Sequence, residues 1–371
     1  MLEKFKDILE ECNECKICSE ECPIKAVVKD ETLGPLGKIK AARKILNGEE
    51  LSNDEYKSVY LCTRCGKCEI ICPFNIPVPD LVQSLRQTLE KVNRMPEKHK
   101  AIAKRIIEYG NPMGKPTEER NRIVPQGIHT AKRIDTLYLT GCWTAYALPD
   151  VAKASIEVMM KSEINFGMLG QKEKCCGLFL IDNGYLDAAS EIAEENVNMI
   201  EKLDVDKVVV SCAACYDVYN RIYPELYREP NFKVMHMVQM LKEVVESGKI
   251  KFRKDNSIIV AYMDPCHLGR YEGIYDAPRT ILKNIPGLEL RELYYDKKLS
   301  SCCGAPAGVK PFAPEISNNI GLNLLKRAMN IGADVFVVSC PFCLYHLQDV
   351  KNKFDVKIDI KEITQFVLAH M

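Results

Sequence analysis

Five cysteines recur in the second part of the chain at a nearly constant offset, and this repeat limits what the polypeptide can become. Cys142, Cys175, Cys176, Cys212 and Cys215 return as Cys266, Cys302, Cys303, Cys340 and Cys343, displaced by 124, 127, 127, 128 and 128 residues. In each half the double cysteine is followed by a glycine, Gly177 or Gly304. Self-similarity of this kind marks a duplicated unit. Both halves read as strand, helix, strand, helix, strand. The first has strands at Thr136–Thr140, Ile164–Leu169 and Lys207–Ser211, with helices at Val151–Met160 and Leu186–Leu203. The second has strands at Ser257–Met263, Leu288–Leu293 and Val335–Ser339, with helices at Ala277–Asn284 and Glu315–Ile331. Short apolar runs alternating with helices predict parallel α/β units. Almost every repeated cysteine then follows the carboxyl end of a strand, where open α/β sheets hold ligands.

The N-terminal part carries a different pattern twice. Cys12-x2-Cys15-x2-Cys18-x3-Cys22-Pro23 reappears as Cys62-x2-Cys65-x2-Cys68-x3-Cys72-Pro73. This is the bacterial ferredoxin run for a cubane [4Fe–4S] cluster, whose fourth cysteine serves the other cluster. The spacing therefore assigns Cys12, Cys15, Cys18 and Cys72 to one cubane, and Cys62, Cys65, Cys68 and Cys22 to the second. Zinc sites pair two CxxC units some 12–20 residues apart, roughly, and fit poorly here. Helices expected at Lys38–Asn47 and Asp54–Tyr60, with Ser52 or Asn53 as N-cap, make this domain a helical ferredoxin.

The rest of the composition narrows the class. Fifty-one Lys and Arg balance 51 Asp and Glu, so the basic excess of a nucleic-acid binder is missing and no nucleic-acid partner is expected. The longest charge-free stretches, Thr136–Pro149 and Val335–Gln348, are 14 residues each, short of the ~20 that span a bilayer. The amphipathic start lacks a secretory core, so the 18 cysteines are expected as reduced cytoplasmic thiols rather than disulfides. Neither GxGxxG after a strand nor GxxxxGK[ST] occurs, which argues against FAD or NAD in this chain. Between the cysteine groups, a basic helix (Lys98–Glu108) and the Gly110-Asn111-Pro112-Met113-Gly114 stretch read as a linker.

Five thiolates per repeat exceed what a cubane or a tetrahedral zinc uses, leaving a larger or distorted cluster, or a spare reactive thiol. The paired glycines would let the backbone pass close to such a cluster. With Cys-x31–39-Cys-Cys-x35–36-Cys-x2-Cys present twice behind two ferredoxin runs, each double cysteine followed by glycine, the chain resembles the D-type subunits of CoB–CoM heterodisulfide reductase, which fuse C-type and B-type subunits. The resemblance covers nearly the whole chain and uses all 18 cysteines. It implies an α+β and α/β architecture: a helical two-cluster ferredoxin at 1–95, a helical linker at 96–134, and cysteine-rich CCG domains at 135–250 and 251–371.

The resemblance also implies chemistry. Each quintet (Cys142, Cys175, Cys176, Cys212, Cys215; Cys266, Cys302, Cys303, Cys340, Cys343) would hold a non-cubane [4Fe–4S] cluster, with Gly177 and Gly304 beside it. The pair would reduce the CoM-S-S-CoB disulfide of methanogenesis, with electrons arriving through the two cubanes. His267, next to Cys266, is the expected proton donor, with His346 a weaker alternative. Lys310 and Arg270 are candidate contacts for anionic coenzymes. The remaining histidines (His99, His129, His236, His370) read as surface or packing residues, and Trp143 and the Tyr294-Tyr295 pair as core or interface. The expected donor is a membrane cytochrome b or a flavoprotein, which leaves open peripheral attachment to the inner face of the membrane. The competing expectation is an electron-transfer component of a flavin-linked dehydrogenase, of the glycolate or lactate, glycerol-3-phosphate or thiol:fumarate reductase type. The tail Ile363–Met371 reads either as a docking element or as a cap on the sheet.

Overall fold

The apolar strands of the repeat build two parallel four-stranded sheets in the computed structural model, which describes residues 2–128, 134–253 and 257–371. The first sheet runs β2-β1-β3-β4, with β1 at Thr136–Leu139, β2 at Phe166–Met168, β3 at Lys207–Val210 and β4 at Lys233–His236. The second repeats that order as β6-β5-β7-β8, with β5 at Ile258–Met263, β6 at Leu288–Glu292, β7 at Val335–Val338 and β8 at Asp359–Glu362. Register is equally repeated: Leu137 pairs with Gly167 and Val208, and Ala261 with Arg291 and Phe336. The central strands are buried on both faces, as their β-branched composition dictates.

Helices cover both sheets where the periodicity places them, at Pro149–Lys161, Leu186–Glu201, Asp276–Lys283 and Pro314–Asn330. The fourth strands are not evident from the sequence. β4 is four residues long, and β8 alternates exposed and buried residues, so neither presents an apolar run. Each leads into a helix that crosses to the opposite half. Met237–Glu246 packs on Asp276–Lys283, and Ile363–Ala369 packs on Pro149–Lys161. Ser155 Oγ donates to Thr364 Oγ1 at 3.2 Å across the second contact. The tail is therefore packed inside the molecule, with Phe366 and Val367 buried, and is not a free docking element.

The N-terminal part is helical, built from Pro35–Leu46, Asn53–Tyr60 and Val78–Lys91. Ser52 caps the second of these in a reciprocal box with Glu55. The following helix, Glu97–Tyr109, fits between this part and the sheets: buried His99 lies edge-on to Tyr60, Phe179 and Phe312, and its Nε2 is 2.9 Å from the Gly308 carbonyl oxygen. Gly308 has φ +83°, and a Cβ there would lie 2.4 Å from the His99 ring.

Candidate functional site

All ten repeated cysteines gather at the carboxyl edges of the sheets. Cys142 opens a short helix after β1, Cys212 caps one after β3, and Cys175 and Cys176 follow β2. In the second half Cys266 follows β5, Cys302 and Cys303 follow β6, and Cys340 caps the helix Pro341–Lys353 after β7. Within the first nest Cys215 Sγ lies 3.5 Å from Cys176 Sγ, and Cys142 and Cys175 are within hydrogen-bonding reach. Within the second nest Cys343 Sγ lies 3.4 Å from Cys303 Sγ, and Cys266 and Cys302 form the matching contact. The nests also meet: Cys212 of the first and Cys340 of the second are in side-chain contact across the seam.

The glycine after each double cysteine does more than its lack of a side chain suggests. Gly177 and Gly304 adopt φ of +79° and +98°, which turns each N–H back to donate at 3.4 Å to the thiol two residues earlier, Cys175 and Cys302. A Cβ on Gly304 would strike Ile320 at 2.7 Å and the Ser317 carbonyl at 2.8 Å, so that glycine is fixed by helix packing. Sulfurs this crowded and buried cannot all ionise without a cation. Hydrogen bonds from Cys175 and Cys215 pull Cys176 down to about 6, while the bond to Cys175 and burial hold Cys142 well above the ordinary thiol range. Soft, buried thiol sets with N–H donors suit iron–sulfur clusters. Among the described residues no three His, Cys, Asp or Glu side chains close on a single ion position; the thiols border cavities instead.

The N-terminal cysteines also border cavities. One small cavity is lined by Cys12, Cys15, Cys18, Cys68 and Cys72, and a neighbouring one by Cys22, Cys62, Cys65 and Cys68. Cys15 is exposed, whereas Cys65 is buried and within hydrogen-bonding reach of Cys302 in the second nest. The loop after Cys266 secures this junction. Tyr271 OH donates to the Arg64 carbonyl at 2.6 Å, and Arg270 donates to the carbonyls of Cys65, Lys298 and Ser300. Arg270 therefore joins domains and is not turned to an anionic ligand.

Between the nests lies a cavity of about 460 Å³, lined by Cys142, Cys175, Cys176, Cys212 and Cys215 from one side and Cys266, Cys340 and Cys343 from the other. Cys302 and Cys303 lie behind it, 2 % and 1 % exposed. Trp143 and Phe342 meet on its wall at 4.6 Å between ring centres, so Trp143 is an interface residue, as expected. Tyr294, by contrast, stands in solvent at 86 % exposure. His267 also lines the cavity. Its Nδ1 is 2.6 Å from Asp217 Oδ2, and its buried Nε2 has no protein partner. Burial opposes the charged ring, yet the Cys266 sulfur and the Asp217 carboxylate outweigh it and hold His267 up at about 9. His346 is turned away, its Nε2 3.2 Å from the Ser317 carbonyl, and Lys310 pairs with Asp349. His99, His236 and His370 are buried packing residues, and His129 lies outside the described residues.

Several residues here carry no signal in the sequence. Asp217 belongs to the first half and orients a histidine of the second. Arg120, from the segment read as a linker, donates to Cys142 Sγ at 3.4 Å and to Glu173 Oε1 at 2.8 Å. Glu173 in turn accepts from the Thr140 and Gly141 N–H groups at 3.0 and 2.7 Å. No local motif marks such partners.

Residues 136–218 and 260–348 match the CCG family, described as a cysteine-rich domain, and residues 8–76 match a 4Fe-4S dicluster domain. The chain is 33 % identical to the D-type subunit of the dihydromethanophenazine:CoB--CoM heterodisulfide reductase of Methanosarcina barkeri, over 97 % of this chain and 93 % of that one. It is 30 % identical to the B-type subunit of the fumarate reductase (CoM/CoB) of Methanothermobacter marburgensis, over 94 % of this chain and 72 % of the other. Identity to the EtfAB:quinone oxidoreductase of Syntrophomonas wolfei is 27 %, over 79 % of this chain and 43 % of that one. Among solved structures, a hypothetical protein from Helicobacter pylori shares the fold with a TM-score of 0.61 at 9 % identity, covering 100 % of this chain and 76 % of that one.

Proposed function

The chain belongs to the family of heterodisulfide reductase D-type subunits, which are iron–sulfur oxidoreductase components, and from that premise we propose that it reduces the CoM-S-S-CoB heterodisulfide in the cavity between its two cysteine quintets. The observation that carries this reading is the meeting of the quintets, with Cys212 against Cys340 and both nests opening on one space. A disulfide offers two adjacent sulfurs and needs two electrons, so two one-electron centres side by side match it. In this reading Cys142, Cys175, Cys176, Cys212 and Cys215 hold one non-cubane [4Fe–4S] cluster. Cys266, Cys302, Cys303, Cys340 and Cys343 hold the other, with Gly177 and Gly304 donating N–H groups to the sulfurs. The N-terminal cysteines hold the two cubanes in the sets read from their spacing. When bound, these clusters supply single electrons, two per turnover.

The balance is RS–SR′ + 2 e⁻ + 2 H⁺ → RSH + R′SH. His267 releases a proton from Nε2 toward a departing sulfur, and Asp217 fixes the ring by holding Nδ1. The apolar walls keep bulk water from the sulfurs. Residues 1–95 conduct, 96–134 connect and wall one side of the cavity, and 135–250 and 251–371 supply the two cysteine quintets. The electron donor is a partner protein, a membrane cytochrome b or a flavoprotein, and the first of these would hold the chain at the inner face of the membrane. Among the described residues no helix is long and apolar enough to cross a membrane.

Likeness to the EtfAB:quinone oxidoreductase favours one second reading, an electron conduit for a flavin-linked dehydrogenase. Anaerobic oxidation of reduced viologen by the heterodisulfide, with the cluster-loaded chain, separates the two. Turnover is expected, falling by about a hundredfold or more in Cys303→Ala. Full turnover in that variant, or dye that stays reduced with the wild type, overturns the reductase reading.

A further inference from the structure

The cavity wall carries an electrostatic imbalance. Four side chains that are ordinarily charged line it: Arg105, Asp182, Lys310 and Asp349. Asp182 is paired with Arg64, and Lys310 with Asp349. Arg105 is half-buried, forms no ion pair among the described residues, and has a buried Nε without a hydrogen-bond partner. A second wall residue is equally unsatisfied. Asn318, 5 % exposed on the helix Pro314–Asn330, has an Oδ1 with no donor. Buried polar atoms left without partners, here Arg105 Nε and Asn318 Oδ1, are costly unless something completes them.

The placement of Arg105 is built rather than incidental. Its stem lies against Gly114, where a Cβ would come within 2.8 Å of Arg105 Cδ and where φ is +68°. The intervening loop is clamped by Asn111, whose Nδ2 donates to the carbonyls of Tyr109 and Lys115 at 2.9 and 2.8 Å. The same segment adds Ile102, Ile106, Pro112 and Met113 to the apolar lining of the cavity. The segment read as a linker is thus one side of the cavity.

Resting on the disulfide reading above, we propose that Arg105 and Asn318 recognise one arm of the substrate, an apolar chain carrying an oxyanion (carboxylate, sulfonate or phosphate) and a hydrogen-bond donor. The guanidinium fork matches two oxygens of such a group, and the low-dielectric wall strengthens the contact. Asn318 Oδ1 accepts from an N–H or O–H on the same arm. Specificity then lies in the arm, while the sulfur chemistry is indifferent to it.

The test is equilibrium binding to the oxidised, cluster-loaded chain without reductant, by calorimetry, with the CoM–CoB heterodisulfide and with uncharged bis(2-hydroxyethyl) disulfide. The ratio of the two affinities is expected to fall about tenfold to a hundredfold in Arg105→Gln, with part of it recovered in Arg105→Lys. Asn318→Leu is expected to weaken the heterodisulfide about tenfold. An unchanged ratio in Arg105→Gln overturns the proposal. A wild type that binds both disulfides yet turns over neither removes the reductase reading and leaves the ratio to judge the recognition; a wild type that binds neither removes both.

Discussion

Arg86 shows how a single side chain commits three parts of the molecule to one arrangement. It is wholly buried, and its guanidinium donates to the carbonyls of Val59 and Cys62 in the N-terminal part, Asp182 in the first half and Ala307 in the second. Arg86→Met keeps the bulk and strands four carbonyls. Denaturant unfolding should show a loss of about 3–5 kcal/mol, and iron content should fall with it. At the site, Asp217→Asn should lower kcat for disulfide reduction about a hundredfold with KM nearly unchanged, because the ring that holds the proton loses its orientation. Cluster absorbance should be retained. His267 is legible in the sequence because it adjoins Cys266. Asp217, Arg105 and Asn318 are not, since their roles depend on partners from other elements, over distances that a sequence does not encode.

Among the elements, those with strong apolar periods are readable to within a few residues, and those without are not. Lys207–Val210 and Val335–Val338 are nearly pure β-branched runs, whereas Asp359–Glu362 reads as charge. The helix Ile363–Ala369 is recognisable as helical, but its place is not, because what it buries lies in the opposite half. Removing residues 363–371 should therefore destabilise the first half of the repeat, through exposure of the helix Pro149–Lys161, as well as the second. Hydrogen exchange should show lost protection in both. A milder change is Ser52→Ala, which removes the reciprocal cap with Glu55 and should cost about 1 kcal/mol.

For the molecule as a whole, the cysteine sets form a series: exposed Cys15 at one end, then the second N-terminal set, Cys65 against Cys302, and Cys340 against Cys212. The two nests are thereby unequal, because it is the second that meets a cysteine of the N-terminal part. His99 sits where this part meets both halves, with Arg86 nearby. Burial and the Arg86 charge depress its pKa from 6.5 to about 4. The unfolded chain therefore takes up the proton first as pH falls. Stability from this residue is complete above pH 6.5 and is lost between 6.5 and about 4, a total of about 3 kcal/mol. Chemical denaturation of His99→Gln across that window should show a shallower slope than the wild type.

The reciprocal helices have a historical consequence. Each half lends its final helix to cover the first helix of the other, so a solitary ancestral unit would have left that face bare. Two identical copies related by a two-fold axis satisfy it, since such contacts are isologous. A forebear with one cysteine quintet per chain would then have needed to pair symmetrically to cover that face, and joining two copies in one chain would remove the need.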